Sequence, residues 1–488
     1  MDSNRLRMTW TDETTPGVVP ANPRMRVVRL TGESLQYKPV FINSEEIRSD
    51  RMNSDPIMVN VQSQGAVNGE LSYPPEGSPF SSWLRSMMSA PWSLRPFRDN
   101  DGVASSVITG VAAATGVVTV TAGAVFAAGH LVRLTGFADV DNSGLFRITT
   151  GSGTVPAVGA DKLEDEAAPP ATARIAVVGF EGVAADLKTV ADGLTSAALN
   201  FTTLGLKVGQ WIKIGGTGAT YRFDAEGLNT FVRVTAIAAN KLTLDNLPVS
   251  WAVNAGAGKT IRVFFGDTIR NGVDLFTGTL ERGFMSQAQP TYIAQNSMAV
   301  AQAEFTFEAE QIAKWAITFN GTTGSQSVVS LDDTPDPETS NPIMAAAVNV
   351  GRIAENGVAV GSPNFVRSFK VTINNNLRMI NAIRSDDKLG PVAIGQGSFD
   401  VQVELETYFG SNALLANLFA GTPTNISTRI EKNSQALIFA IPRYVYTDGA
   451  VSAGGKNQDL MLPLTGQASK DELTSAQLII DRLEYYEK

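Results

Sequence analysis

The sequence predicts a mainly β protein of several folded units. Three observations carry that reading. The 488 residues include 44 glycines and 23 prolines but only 18% charged side chains, a composition that fits neither a disordered chain nor a coiled coil. Apolar and polar residues alternate with period two in one segment after another, the mark of half-buried strands. Helical spacing is short where it occurs, at Ser81 to Met88 and Asn412 to Phe419. At roughly 100 to 200 residues per domain, the length allows two to four domains.

Composition also removes much chemistry. A net charge of −9 argues against gripping nucleic acid through its phosphates, which needs clustered Lys and Arg; it leaves open a protein that lets DNA pass. With no cysteine and one histidine, disulfides, thiolate sites, HExxH motifs and ordinary catalytic zinc sites are excluded. His130, in AAGHLV, reads as a strand-end residue, since no partner motif makes it a general base. Residues 102 to 129 are uncharged, but their glycines and the alternating Val118 to Thr121 read as strands and turns, so no membrane insertion is expected. The start MDSNRLRMTW has no apolar core behind a basic end, and no secretory signal is expected.

Along the chain, two repeats stand out. The clearer one lies within 103 to 267, where Ala128 to Leu134 aligns with Val208 to Ile214 and Phe146-Arg147-Ile148-Thr149 with Val232-Arg233-Val234-Thr235. Each unit is about 80 residues of short strands, a small all-β module. The fainter repeat spans the rest. Gln64 to Tyr73, followed by the helical pattern Ser81 to Met88, matches Gln396 to Leu405, followed by Asn412 to Phe419, and a strand pair returns after each helix. The modules therefore sit inside the first half. The expected units are 1–100 and 268–320 for the split first fold, 101–182 and 183–267 for the modules, 321–342 as a linker on its three prolines, and 343–488 for the second fold.

In this arrangement, Thr31 to Arg51, Thr279 to Phe284, Gly397 to Phe409 and Val451 to Met461 resemble the tail tube proteins of long-tailed bacteriophages, in the class with two tube folds per chain. The modules resemble the small β domains that decorate phage virions, with His130 and Gln210 where Asp is common. The resemblance implies a mainly β fold of two sandwich or barrel units, each with a short helix. It implies rings that stack into a virion tail tube, assembled in the host cytoplasm, with tape measure and terminator proteins as partners. With two folds per chain, a ring of six folds is a trimer. A non-contractile tail is expected, because modules on the tube exterior occupy the place of a sheath. The modules would meet host surface glycans, and a tube is expected to form without residues 103 to 267.

The candidate site follows from alternation. Phe399, Val401, Val403 and Leu405 share one face of a strand, and Asp400, Gln402, Glu404 and Glu406 share the other. A solvated sheet face is the plainer reading of that pattern. The resemblance implies instead a channel lining whose like charge lets DNA slide. Asn68, Glu70 and Ser72 are the first-half equivalents, and Glu304 and Glu308, alternating with Phe305 and Phe307, add a further strand. The resemblance also implies ring-to-ring contacts in the long loop 43–56, through Glu45, Glu46, Arg48, Asp50 and Arg51, and in its counterpart 381–391, through Arg384, Asp386, Asp387 and Lys388.

Other motifs carry less. Gly256-Ala257-Gly258-Lys259-Thr260 ends like a phosphate loop but has Val253 where the first glycine belongs, and a strand follows it. The acidic runs 161–166 and 332–338 lack the spacing of a calcium loop. No catalytic residue, metal or cofactor is expected. Two other classes stay open: a receptor-binding fibre, an elongated trimer without a channel, and a virion glycosidase, which needs a carboxylate pair in an aromatic cleft.

Overall fold

In the computed structural model, which describes residues 3–101, 107–121, 126–151, 153–383 and 389–487, the strands outside 97–264 form two successive runs of like order. The first run has β1 (Leu6–Asp12), β2 (Gly32–Glu33), β3 (Gln36–Ile42) and β4 (Ile57–Glu70) before helix α1 (Pro79–Met88). After the helix come β5 (Asp267–Arg270), β6 (Gly278–Phe284), β7 (Thr291–Glu308), β8 (Lys314–Gly321) and β9 (Thr323–Ser327). The second run has β10 (Val350–Glu355), β11 (Val366–Asn374) and β12 (Asp400–Tyr408) before α2 (Ala413–Ala420). Then follow β13 (Thr424–Lys432), β14 (Gln435–Gly449), β15 (Ser452–Ala453), β16 (Leu460–Ala468) and β17 (Ile479–Glu484). The fold is mainly β.

The two longest partners, β7 and β14, each serve two layers. The first part of β7 pairs with β6 and β9, and its later part with β8 and β11. The first part of β14 pairs with β13 and β17, and its later part with β16. A bulge after Val300 in β7 and one after Tyr446 in β14 mark the same point of the two runs. β9 lies in the segment expected to be linker. Its Thr, Gly, Ser and Gln side chains give no apolar period, yet its main chain pairs with Tyr292 to Asn296. Main-chain bonding alone holds such an edge strand, so periodicity does not reveal it.

Helix α1 begins where Ser78 accepts a hydrogen bond from the Ser81 amide with Pro79 at the first position, and ends at Ser89 in the left-handed conformation. This is a standard cap, proline and stop sequence. Its Trp83 is fully buried, 5.0 Å from the Phe319 ring, 5.6 Å from Trp315 and 5.8 Å from Trp10. One core holds both runs together: Val67, Trp83, Phe305 and Phe319 from the first, Phe369, Val403, Leu405 and Phe439 from the second.

Residues 97–264 form a separate sheet. Its order is 144–147, 130–135, 174–181, 262–264, 211–214, 231–238, 241–245, 193–195 and 188–190, with Phe97–Asp99 also pairing with 174–176. The aligned residues pair alike: Val132 faces Phe146, and Ile212 faces Val232. The strand 174–181 of one unit pairs with 262–264 of the other, and a single core runs through both. Leu131, Val178, Trp211, Phe231 and Phe264 of this sheet pack against Ala436, Ile438 and Ala440 of β14 and Ile479 and Leu483 of β17. The rim of that contact is charged, with Arg133 on Glu484 at 3.1 Å and Arg262 on Glu487 at 3.1 Å.

Candidate functional site

Pairing β7 with β11 joins the two runs into one sheet, in the order β4, β8, β7, β11, β12, β16. Registers then place residues from distant parts of the chain in single rows. Asn68 faces Ala316, which faces Glu304, then Thr372, Gln402 and Gln467. The next row runs Glu70, Lys314, Thr306, Lys370, Glu404 and Thr465. Glu308, Ser368 and Glu406 form a third. Alternation puts the intervening residues inside: Ala303, Phe305, Val371, Val401, Val403 and Leu405 are all buried.

The face is acidic but not uniformly so. Lys370 Nζ lies 3.4 Å from Glu304 and 3.8 Å from Glu404, and Arg367 lies 3.6 Å from Glu406. Asp400 accepts from Asn376 Nδ2 at 2.6 Å and from Ser398 Oγ at 3.1 Å. The carboxylates of Glu70, Glu304, Glu308, Asp400, Glu404 and Glu406 thus share the face with the cations Lys314, Arg367 and Lys370, leaving an excess of negative charge. Those cations were missed from the sequence, although Ser368, Lys370 and Thr372 alternate with Phe369 and Val371 as clearly as the acids alternate on β12. Ser72 leaves the row: it lies past the end of β4, in a bridge to Ile343.

The match between the halves also shifts. The bulges set Phe319 of β8 against Gly466 of β16, since these face Val300 and Tyr446. Their other neighbours are Gly65 and Val403. Gly65 therefore corresponds to Val403 rather than to Gly397, a slip of six residues, and Asn68 corresponds to Glu406. An even slip keeps every side chain on its face, so a period-two pattern does not detect it.

Glu45, Glu46, Arg48, Asp50 and Arg51 are exposed at the tip of the β3–β4 hairpin. Arg48 and Asp50 pair with one another at 2.7 Å. The counterpart hairpin is built on Arg378–Ile380 and Ala393–Gly395; Arg384, Asp386, Asp387 and Lys388 lie outside the described residues. Several exposed apolar residues, Phe41, Ile42, Ile47 and Ile57, accompany the charges on the first hairpin.

The remaining motifs have structural duties. His130 is fully buried; its Nδ1 accepts from the Ala127 amide at 2.9 Å and its Nε2 reaches the Leu204 carbonyl at 3.3 Å. Burial pushes its imidazole down to about 4, against a smaller upward effect of that carbonyl. Gln210, at the same point of the other unit, accepts from the Lys207 amide at 3.0 Å and donates to the Gly266 carbonyl at 2.7 Å. Lys259 pairs with Asp224 at 2.7 Å and the strand Arg262–Phe264 follows it, so no helix N-terminus faces Gly256 to Thr260. Glu166 accepts from the Ala138 amide and from Asn142 Nδ2. Among the described residues, no group of three or more His, Cys, Asp or Glu side chains is placed to hold a metal ion, and no helix is long and apolar enough to cross a membrane.

No curated protein matches the chain. A family profile described as phage tail tube protein matches residues 3–468. That span takes in the first run, the second run up to β16, the sheet between them and the shared charged face, and the chain belongs to the phage tail tube protein family.

Proposed function

We propose that three chains form a ring of six tube folds, that rings stack into a tail tube, and that the charged face of the β4–β16 sheet lines its channel. The continuous pairing of β4 through β16 carries this reading. With β3 pairing outside β4 and the later part of β14 outside β16, each run contributes four strands to that sheet. The row through Asn68 reaches Gln402, whereas the residue matching Asn68 is Glu406, so one fold advances the register by about four residues over four strands. Six such steps close a barrel of about 24 strands and a shear of about 24. With strands about 4.8 Å apart and a rise of about 3.3 Å, the strands tilt about 35° and the backbone radius is about 22 Å. Side chains reduce the opening to roughly 35 Å across, which admits a DNA duplex.

Such a channel would conduct the genome rather than bind it. Excess negative charge repels the phosphates, while the interspersed Lys314, Arg367 and Lys370 keep the face from repelling its own neighbours. The β3–β4 hairpin, with its exposed apolar and charged tip, and its counterpart would reach the next ring. The sheet of residues 97–264 would stand on the outside, one per chain, available to host surface glycans. Tape measure and terminator proteins would meet the tube's lumen and end. In this reading the role is structural, without an enzymatic step, and a non-contractile tail accommodates the outer sheet.

Electron microscopy of the purified protein and of virions tests the reading. Rings with three outer projections and an open channel are expected. Six projections, or an elongated trimer with no channel, would overturn it.

A further inference from the structure

Consecutive repeats meet through a joint that α1 has and α2 lacks. Within the chain, the second run closes over α1: Asn375 Nδ2 donates to the Met87 carbonyl at 2.9 Å, Gln396 Nε2 to Ser89 Oγ at 2.9 Å, and Arg482 to Ser81 Oγ at 2.6 Å. Leu84 and Met87 of the same helix are fully buried. Counting back from the left-handed caps Ser89 and Gly421, Ala416 and Phe419 of α2 stand where Leu84 and Met87 stand in α1. Both are exposed, Phe419 by 81%. Asn417, the one polar residue of α2, donates inward to Glu355 at 3.1 Å. The helix therefore presents an apolar side with nothing over it, as interface helices do.

The covering residues have counterparts too. The bulges that match β7 to β14 place Tyr292 with Ile438, so Ser327 of β9 corresponds to Asp481 of β17 and Val328 to Arg482. The register that matches Gly65 to Val403 brings Met58 to the neighbourhood of Gln396. In the second run these positions are spent on α1. In the first run their counterparts are open and apolar: Val328 is 53% exposed, Val329 64% and Met58 45%.

Resting on the ring reading above, we propose that the open face of α2 is the docking site for a second copy of this chain, entered by the flank of that copy's first repeat carrying Met58, Val328 and Val329. The contact is heterologous, so repetition closes a ring rather than stopping at a dimer. It extends across the subunit boundary the joint that already exists inside the chain.

The test uses the full chain in two forms, Phe419→Asp and the double variant Val328→Asp with Val329→Asp, each checked for parental melting and then sized by light scattering. Each form alone should lose the ring peak and remain monomeric. Mixed together, each offers one intact face, and a peak of two chains should appear without rings. Rings formed by Phe419→Asp, or a mixture that stays monomeric, would overturn the docking while the parent's rings leave the tube reading standing. A milder Phe419→Ser form that assembles like the parent would also count against it. A parent that never assembles would overturn both.

Discussion

His130 and Gln210 show how two unlike residues fill one structural role. Each accepts from the amide three residues earlier and donates to a distant carbonyl, and neutral imidazole and amide share that donor and acceptor pair. The histidine adds a pH dependence. Its folded value of about 4 lies below the unfolded value of about 6.5, so the unfolded state binds the extra proton and stability present above pH 6.5 is lost as pH falls toward 4. The loss between pH 7 and pH 4.5 should be about 2 kcal/mol, read from urea unfolding at those two values, and His130→Gln should remove that component. Asp481 has the opposite sign. Buried on β17, where it accepts from the Trp211 amide, it is pushed up to about 7 by loss of water, with Thr268, the Trp211 amide and the nearby Arg270 and Arg233 pulling it down less strongly. Its contribution is therefore full below about pH 4 and declines as pH rises through 7. Asp481→Asn should raise the melting temperature at pH 8 and leave it little changed at pH 4.

At the scale of elements, close approach and burial decide what change is tolerated. A Cβ on Gly69 would lie 2.1 Å from the Trp315 ring, so Gly69→Ala should cost about 1–3 kcal/mol through displacement of that ring; denaturant melts would show it. The sheet of residues 97–264 looked dispensable from sequence, because an insertion inside one repeat suggests a free appendage. Its contact with β14 and β17 says otherwise. Removing residues 103–267 uncovers Ile438, Ala440, Ile479 and Leu483 and strips Arg133 and Arg262 from Glu484 and Glu487. The shortened chain should aggregate on expression, and replacing Ile438 and Ile479 by threonine should restore part of its solubility. Sequence patterns do not report such docking. The outer side of β14 carries the small and branched residues Ala436, Ile438 and Ala440, which read as one more buried strand face.

For the whole molecule, the charge of −9 matters through its placement. Replacing Asp400, Glu404 and Glu406 by lysine should leave the tube assembling, because these side chains contribute nothing to the core, yet slow DNA release from virions. Lys370→Gln should act in the other direction, since it removes a cation held between Glu304 and Glu404. Release kinetics over a range of salt would check both, with the difference shrinking as salt screens the face.

Much of this was legible in the residues. Alternation in 399–406 alone separates the acids from the buried valines and leucine, because a strand has only two faces, and the tandem units can be aligned at Val132 with Ile212 before any coordinates. Three things were not legible. The true match of Gly65 with Val403, the partnership of β7 with β11, and the docking of 97–264 all depend on contacts between residues far apart in sequence. Period two is blind to even slips, and strand pairing leaves no local trace of which partner is chosen. The sequence by itself determined which side chains of these strands face inward. Only the tertiary structure decided that the two halves make one sheet, because long-range hydrogen bonds and core packing select among registers that every local pattern allows.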